Sequence, residues 1–179
     1  IVVAVGIALC RALEYVHEKK DLDGQPLNLV HRDVGPANVL VTARSEVKLM
    51  DFGVAATQQS ATQNAGLLVG KLPYMPPEQL AGEAPSPGWD LYPVGVTLYQ
   101  LATLAHPYQG SPADYLPMPT LRFHRGAPSL SSPGIPPSLD GLLVRATQLE
   151  SNPRAQTAKE LREELEQVQQ DTGPGDIGA

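Results

Sequence analysis

The chain has 179 residues, 42% of them hydrophobic and 18% charged, with a net charge of -6. That length supports one domain with its own core, and the acidic balance excludes a general nucleic-acid binder, which needs clustered Lys and Arg to neutralise phosphates. The single cysteine, Cys10, excludes an internal disulfide and fits a reducing, cytoplasmic setting.

Ile1 to Lys20 reads as one helix, apolar nearly all round at first and then amphipathic, with Leu9, Leu13 and Val16 at helical spacing. Arg11 and Glu14 end the apolar run well short of the roughly 20 residues a membrane span needs, and no basic leader marks a signal peptide. Residue 1 is Ile rather than Met and lies inside the apolar run, so the chain reads as a cut piece of a longer product. Asp21 to Gly24 is a turn ended by Pro26, and Leu27 to Leu29 is short and extended. Val39–Thr42 and Glu46–Met50 are two short aliphatic runs joined by Ala43-Arg44-Ser45, which predicts a hairpin. Thr57 to Ala65 is polar and aperiodic and reads as a mobile loop.

Asp90 to Leu104 has the spacing of a buried helix, with Pro93 in its first turn and with Trp89 and Tyr92 as core anchors. Eight prolines between residues 106 and 137 forbid a long helix there. Ser138 is expected to cap a helix running through Leu149. Thr157 to Gln170 predicts a last amphipathic helix, with Leu161, Leu165 and Val168 inward and Thr157 with Glu160 as a capping box. Residues 171–179 read as a disordered tail after a domain spanning 1–170. His17, His106 and His124 lack metal-ligand spacing and read as surface or packing residues.

Two segments carry the chemistry: His31-Arg32-Asp33-Val34-Gly35-Pro36-Ala37-Asn38, and Asp51-Phe52-Gly53 just after the hairpin. Transfer of a phosphoryl group to a hydroxyl needs an oriented hydroxyl and neutralised phosphates. A carboxylate on a rigid loop receives the hydroxyl proton, while a second carboxylate and an amide oxygen hold Mg²⁺. Asn38 precedes the first strand of the hairpin and Asp51 follows the second, so antiparallel pairing brings them side by side.

These segments resemble the protein kinase superfamily. His31 to Asn38 matches H-R-D-x-x-x-x-N, and Asp51-Phe52-Gly53 matches D-F-G. Pro76-Pro77-Glu78 is similar to A-P-E. Asp90-Leu91-Tyr92-Pro93-Val94-Gly95 is similar to D-V-Y-S-L-G at the start of the family's central helix. Arg154, in Glu150-Ser151-Asn152-Pro153-Arg154, resembles the arginine of D-P-x-x-R. The run from Leu29 to Asp51 is particularly similar to bacterial serine/threonine kinases.

The resemblance implies a mainly α fold with a small β-hairpin, the kinase C-lobe from its αE helix onward, with the N-lobe absent. It implies a serine/threonine kinase that uses ATP and Mg²⁺ and acts on protein hydroxyls. Asp33 is then the catalytic base, and Asn38 and Asp51 are metal and nucleotide ligands. His31 braces the loop, Phe52 is a packing switch, and Gly53 is a structural or regulatory residue of the D-F-G motif. Asp90 holds the loop through backbone N–H groups, and Glu78 pairs with a two-pronged Arg154. Arg32 pairs with a phosphate on the activation segment, for which Thr57, Ser60 and Thr62 are the available acceptors. The chain also departs from the pattern. Gly35 stands where the family has Lys, or Ser in the bacterial relatives, to contact the transferred phosphate. Lys71 replaces a Thr that bonds the catalytic Asp. The glycine-rich loop, its lysine and that lysine's partner glutamate are not read anywhere in the chain. A second reading therefore stands beside the enzyme: a non-catalytic kinase-like fragment or binding module.

Overall fold

The computed structural model describes residues 1–51, 71–110 and 124–173. Helix α1 spans Val2–His17. A 3-10 turn over Pro36–Asn38 leads into strands β1, Val39–Val41, and β2, Val47–Leu49. A second 3-10 turn over Leu72–Tyr74 precedes the short helix α2, Pro77–Leu80. The remaining helices are α3, Gly88–Thr103, then α4, Pro137–Ala146, and α5, Ala158–Thr172.

Helix α3 is the axis of the fold. Every residue from Trp89 to Tyr99 is buried, the pattern of a helix covered on all sides. Leu9 and Leu13 of α1, Leu142 and Leu143 of α4, and Leu161 and Leu165 of α5 join Val94 and Leu98 of α3 in one core. The α3–α4 contact is unusually close. A Cβ placed on Gly95 would lie 2.7 Å from Ala146 Cβ and 2.9 Å from the Ala146 carbonyl oxygen, so only glycine lets the two backbones approach this far.

The strands pair antiparallel with Val39 opposite Leu49 and Val41 opposite Val47, the hairpin expected from the two aliphatic runs. The turn closes on Thr42, whose Oγ1 accepts from the Arg44 and Glu46 N–H groups. Asp21 organises the first loop in the same way, accepting from the N–H groups of Asp23 and Gln25.

Several boundaries differ from the sequence expectation. Helix α1 stops at His17, and Lys20 instead makes an isolated bridge to Pro26. Helix α3 begins at Gly88, which moves Pro93 from the first turn into the second, where its missing N–H costs a helical hydrogen bond. Ser138 does not cap α4. Pro137 takes the first helical position, which suits a residue with no N–H to satisfy, and the helix ends at Ala146, three residues early. Helix α5 runs to Thr172, past Gln170 and into the segment read as a tail. Its cap is present: Thr157 Oγ1 accepts from Glu160 N–H at 3.1 Å. The Glu160 carboxylate accepts from Gln156 N–H at 2.7 Å, one residue before the usual partner. The expected loop at 57–65 lies outside the described residues.

Helices α1 and α5 are joined over their buried leucines by half-buried charges. Arg162 reaches Glu14 at 2.9 Å and Glu166 at 2.8 Å, and its hydrogen bond holds the Glu166 carboxyl below the usual carboxylate range. Beneath them lies Cys10, fully buried, where burial pushes the thiol up to about 12. We expect the native chain to react with a thiol-specific reagent roughly a thousandfold more slowly than a free cysteine near neutral pH. Rates with and without denaturant check this, and fast modification in buffer would mean that the α1–α5 interface opens.

Candidate active site

The loop from His31 to Asn38 is held from below by Asp90, in the first turn of α3. Asp90 has no exposed surface. Its Oδ2 accepts from the His31 N–H at 2.8 Å, and its Oδ1 from the Arg32 N–H at 2.8 Å. The His17 ring, at the end of α1, reaches Oδ2 at 2.8 Å through Nε2. One carboxylate thus joins three segments that are distant in sequence. A negative group at this end of a helix is also favoured by the helix dipole. The grip accounts for the backbone of Arg32, which sits at φ 65° in the left-handed region, a conformation that persists in a non-glycine residue only when its surroundings enforce it.

His31 is buried and ties the two chemical segments together. Its Nδ1 accepts from the Asp33 N–H at 3.3 Å, which leaves Nε2–H to donate to the Met50 carbonyl at 3.1 Å. The Met50 N–H donates in turn to the Asn38 carbonyl at 2.8 Å. Both backbone groups of the residue before Asp51 are therefore fastened to the loop from His31 to Asn38. Asp51 itself takes φ 52°. Asn38 turns its side chain back, donating Nδ2–H to the Asp33 carbonyl at 2.7 Å, which leaves the amide oxygen as an acceptor.

Asp33, Gly35 and Asn38 line one cleft with Lys71, Tyr74 and Trp89. The opposite wall is anchored by the turn at Leu72–Tyr74: Leu72 is fully buried, Tyr74 donates to Gln100 Oε1 at 2.7 Å, and His106 contacts the Pro73 carbonyl at 3.0 Å. Burial pushes the Tyr74 hydroxyl up from its ordinary value. Lys71 Nζ lies 2.5 Å from Asp33 Oδ2. The bond to Asp33 that the Thr-to-Lys replacement was expected to cost is thus made by the lysine itself.

Glu78, in α2, meets Arg154 at 2.7 Å, with side chains 11% and 3% exposed. The guanidinium carbon stands 5.2 Å from the centre of the Tyr92 ring. The pair is single-pronged rather than the expected two-pronged contact, because Nη2 bonds Glu78 while Nε and Nη1 are buried without hydrogen-bond partners.

The structure thus brings Asp33, Asn38 and the backbone before Asp51 to one place, with His31, Arg32 and Asp90 beneath, and sets Glu78 and Arg154 apart as a brace for the far wall. Phe52, Gly53, Thr57, Ser60 and Thr62 lie outside the described residues. For Mg²⁺ the donors are of the right chemistry: an amide oxygen and a carboxylate, both hard, from the two adjoining ends of a hairpin. Among the described residues no three His, Cys, Asp or Glu side chains cluster as a metal site, so such an ion would depend on phosphate and water for its other ligands. Contrary to the sequence reading, the letters G-x-G-x-x-G do occur, at Gly173-Pro174-Gly175-Asp176-Ile177-Gly178. They follow helix α5 rather than a strand, which is the wrong context for a phosphate loop. Two contacts were not foreseen, His17 on Asp90 and Lys71 on Asp33. For Lys71 the signal was its place in the activation segment, and for His17 there was none.

This chain belongs to the protein kinase domain family, whose profile matches residues 3–127. It is 35% identical over 164 residues to a probable serine/threonine-protein kinase, SCO3848, of Streptomyces coelicolor, covering 89% of this chain and 23% of that protein. It is 32% identical over 167 residues to the tyrosine-protein kinase MasK of Myxococcus xanthus, covering 93% and 26% respectively. It is 32% identical over 169 residues to the serine/threonine-protein kinase PknB of Mycolicibacterium smegmatis, covering 92% and 26%. The chain thus spans about a quarter of these curated relatives. Among solved structures, the kinase domain of Mycobacterium tuberculosis PknI aligns with a TM-score of 0.65 and 27% identity, over 94% of this chain and 55% of that one.

Proposed function

We propose that these residues form the catalytic and metal-binding floor of a serine/threonine protein kinase that transfers the terminal phosphoryl group of ATP to a protein hydroxyl. The observation that carries the reading is the Asp90 carboxylate, which fixes His31 and Arg32 from below and so stands Asp33 in the cleft beside Asn38. In the transfer, the hydroxyl oxygen forms a bond to phosphorus, the bridging P–O bond breaks with its electron pair going to ADP, and Asp33 takes the hydroxyl proton. Asn38 and Asp51 would hold Mg²⁺, which supplies charge neutralisation at the phosphates. Pro36 in the loop and the Gly70-to-Met75 segment support the serine/threonine choice over the tyrosine branch. Arg32 is exposed and offers the charge for a phosphate on Thr57, Ser60 or Thr62. Among the described residues no helix is long and apolar enough to cross a membrane.

The test is turnover by the protein expressed at its full natural length, with Mg²⁺, labelled ATP and a basic protein substrate. Asp33→Asn should lower kcat by about 10²–10⁴-fold and leave nucleotide affinity nearly unchanged, because a proton acceptor is not a binding group. Phosphorylated residues identified by mass spectrometry decide between Ser/Thr and Tyr. Loss of nucleotide binding with Asp33→Asn would contradict the assigned role. No turnover in the unaltered protein would favour the second reading, a non-catalytic kinase-like module.

For residues 1–179 alone we expect no useful turnover. A floor without a roof leaves the nucleotide without two or three charge-assisted hydrogen bonds, each worth about 1.5–3 kcal/mol.

A further inference from the structure

On the loop side of the cleft, Gly35 contributes no side chain. Its backbone is extended, at φ 173° and ψ 169°, a conformation open to any residue. The nearest atoms a Cβ there would meet are those of the Tyr74 ring at 3.7 to 3.9 Å, an ordinary contact. Nothing in the local geometry requires glycine, so the loop has simply given up a side chain that the cleft could hold.

The opposite wall supplies a charge instead. Lys71 enters from just before the Leu72–Tyr74 turn, whose three residues are each anchored, and puts its ammonium 2.5 Å from Asp33 Oδ2. The Lys71 side chain is 50% exposed and that of Asp33 18% exposed. A pair as open as this contributes little to stability, so folding offers no strong reason for the lysine. Among the described residues one of its three N–H donors is spent, on Asp33, and the others remain for an anion in the same cleft.

From this placement, and resting on the kinase reading above, we infer that Lys71 is a further catalytic residue, which binds the phosphoryl group in transit and takes the place of a side chain missing at Gly35. At rest its charge is balanced by Asp33. When Asp33 takes the hydroxyl proton, the carboxylate becomes neutral and its hold on the ammonium falls. The positive charge is then released toward the phosphoryl oxygens while charge moves from the attacking oxygen to the leaving one. Stabilisation that grows along the reaction raises kcat rather than substrate affinity.

The experiment is a four-way comparison in the protein expressed at full length: unaltered, Lys71→Ala, Lys71→Arg, and Lys71→Ala combined with Gly35→Lys. Thermal melts establish that each variant is folded. Lys71→Ala should lower kcat by about 100-fold, the typical loss for one transition-state donor, with KM for ATP within about threefold of the unaltered value. Gly35→Lys should restore at least about a tenth of the lost rate from the other side of the cleft, and Lys71→Arg should retain more activity than Lys71→Ala. The inference is overturned if Lys71→Ala stays within about threefold of the unaltered rate, or if its loss is recovered by neither Gly35→Lys nor Lys71→Arg, as a purely structural contact would behave. A rise in turnover on removing Lys71 would also overturn it, since the pair would then be a lock on the base. An inactive unaltered protein fails the kinase reading itself and takes the inference with it, a result distinct from the three above.

Discussion

Replacing Asp90 by alanine should destabilise the chain by roughly 3–5 kcal/mol, the cost of removing one partner from a buried charged contact. The carboxylate has no exposure and accepts from two backbone N–H groups and one imidazole. Alanine would take away the acceptor of the His31 and Arg32 N–H groups in a buried site, and each buried donor left unpaired costs about 1–3 kcal/mol. It would also release the left-handed backbone at Arg32, which has no other visible reason to hold. For a domain of this size the loss corresponds to a melting midpoint lower by about 6–20 °C. Asp90→Asn should cost less, because it keeps one acceptor oxygen, and should locate the damage in the loop. Denaturant melts of both variants check this. If Asp90→Ala costs under about 1 kcal/mol, the carboxylate does not organise the loop and the case built on it for Asp33 weakens.

Glu78→Ala should cost a similar amount, about 3–5 kcal/mol, for a different reason. Arg154 is 3% exposed and already carries two nitrogens without partners. Among the described residues Glu78 is its hydrogen-bonded counter-charge, and without it a guanidinium is left in the core against the Tyr92 face. Replacing both together, Glu78→Leu with Arg154→Met, should recover most of the loss, because an apolar pair needs no compensation. A double-mutant cycle on melting measures the coupling. Additive effects of the two single changes would show that the ion pair contributes nothing as a pair. The damage should also reach the cleft, since Glu78 lies in the short helix that follows the turn next to Lys71.

What could be read in advance follows from how each feature is encoded. The meeting of Asp33 and Asn38 in one cleft was legible because the letters of that loop stand at fixed spacing, and the hairpin that leads on to Asp51 was legible from two aliphatic runs and a polar turn. The cap at Thr157 is local and equally readable. The bond from His17 to Asp90 was not readable, because it depends on how the end of α1 meets the start of α3, 73 residues later, and no local pattern records that meeting. Lys71 was seen as a departure, but a substitution read letter by letter counts as a loss. Only side-chain reach shows that a lysine can make the contact a shorter residue would have made. The start of α4 was misplaced because serine and proline both favour helix beginnings, at different positions, and Pro137 stands one residue ahead of Ser138. Arg154 was expected to use both prongs because guanidinium geometry allows it, but the packing around Tyr92 leaves Glu78 at one corner.

The close approach at Gly95 has a consequence for descent. The backbone of α4 occupies the space where any side chain at that position would go, so drift there is restricted to a single residue type, whereas Asp33 stands in an open cleft that tolerates replacement without disturbing the core. A lineage of this chain could lose the letters of that loop and still fold, but it could not lose Gly95 first. Copies of the gene that outlive those letters would therefore still be identifiable by a glycine in the core.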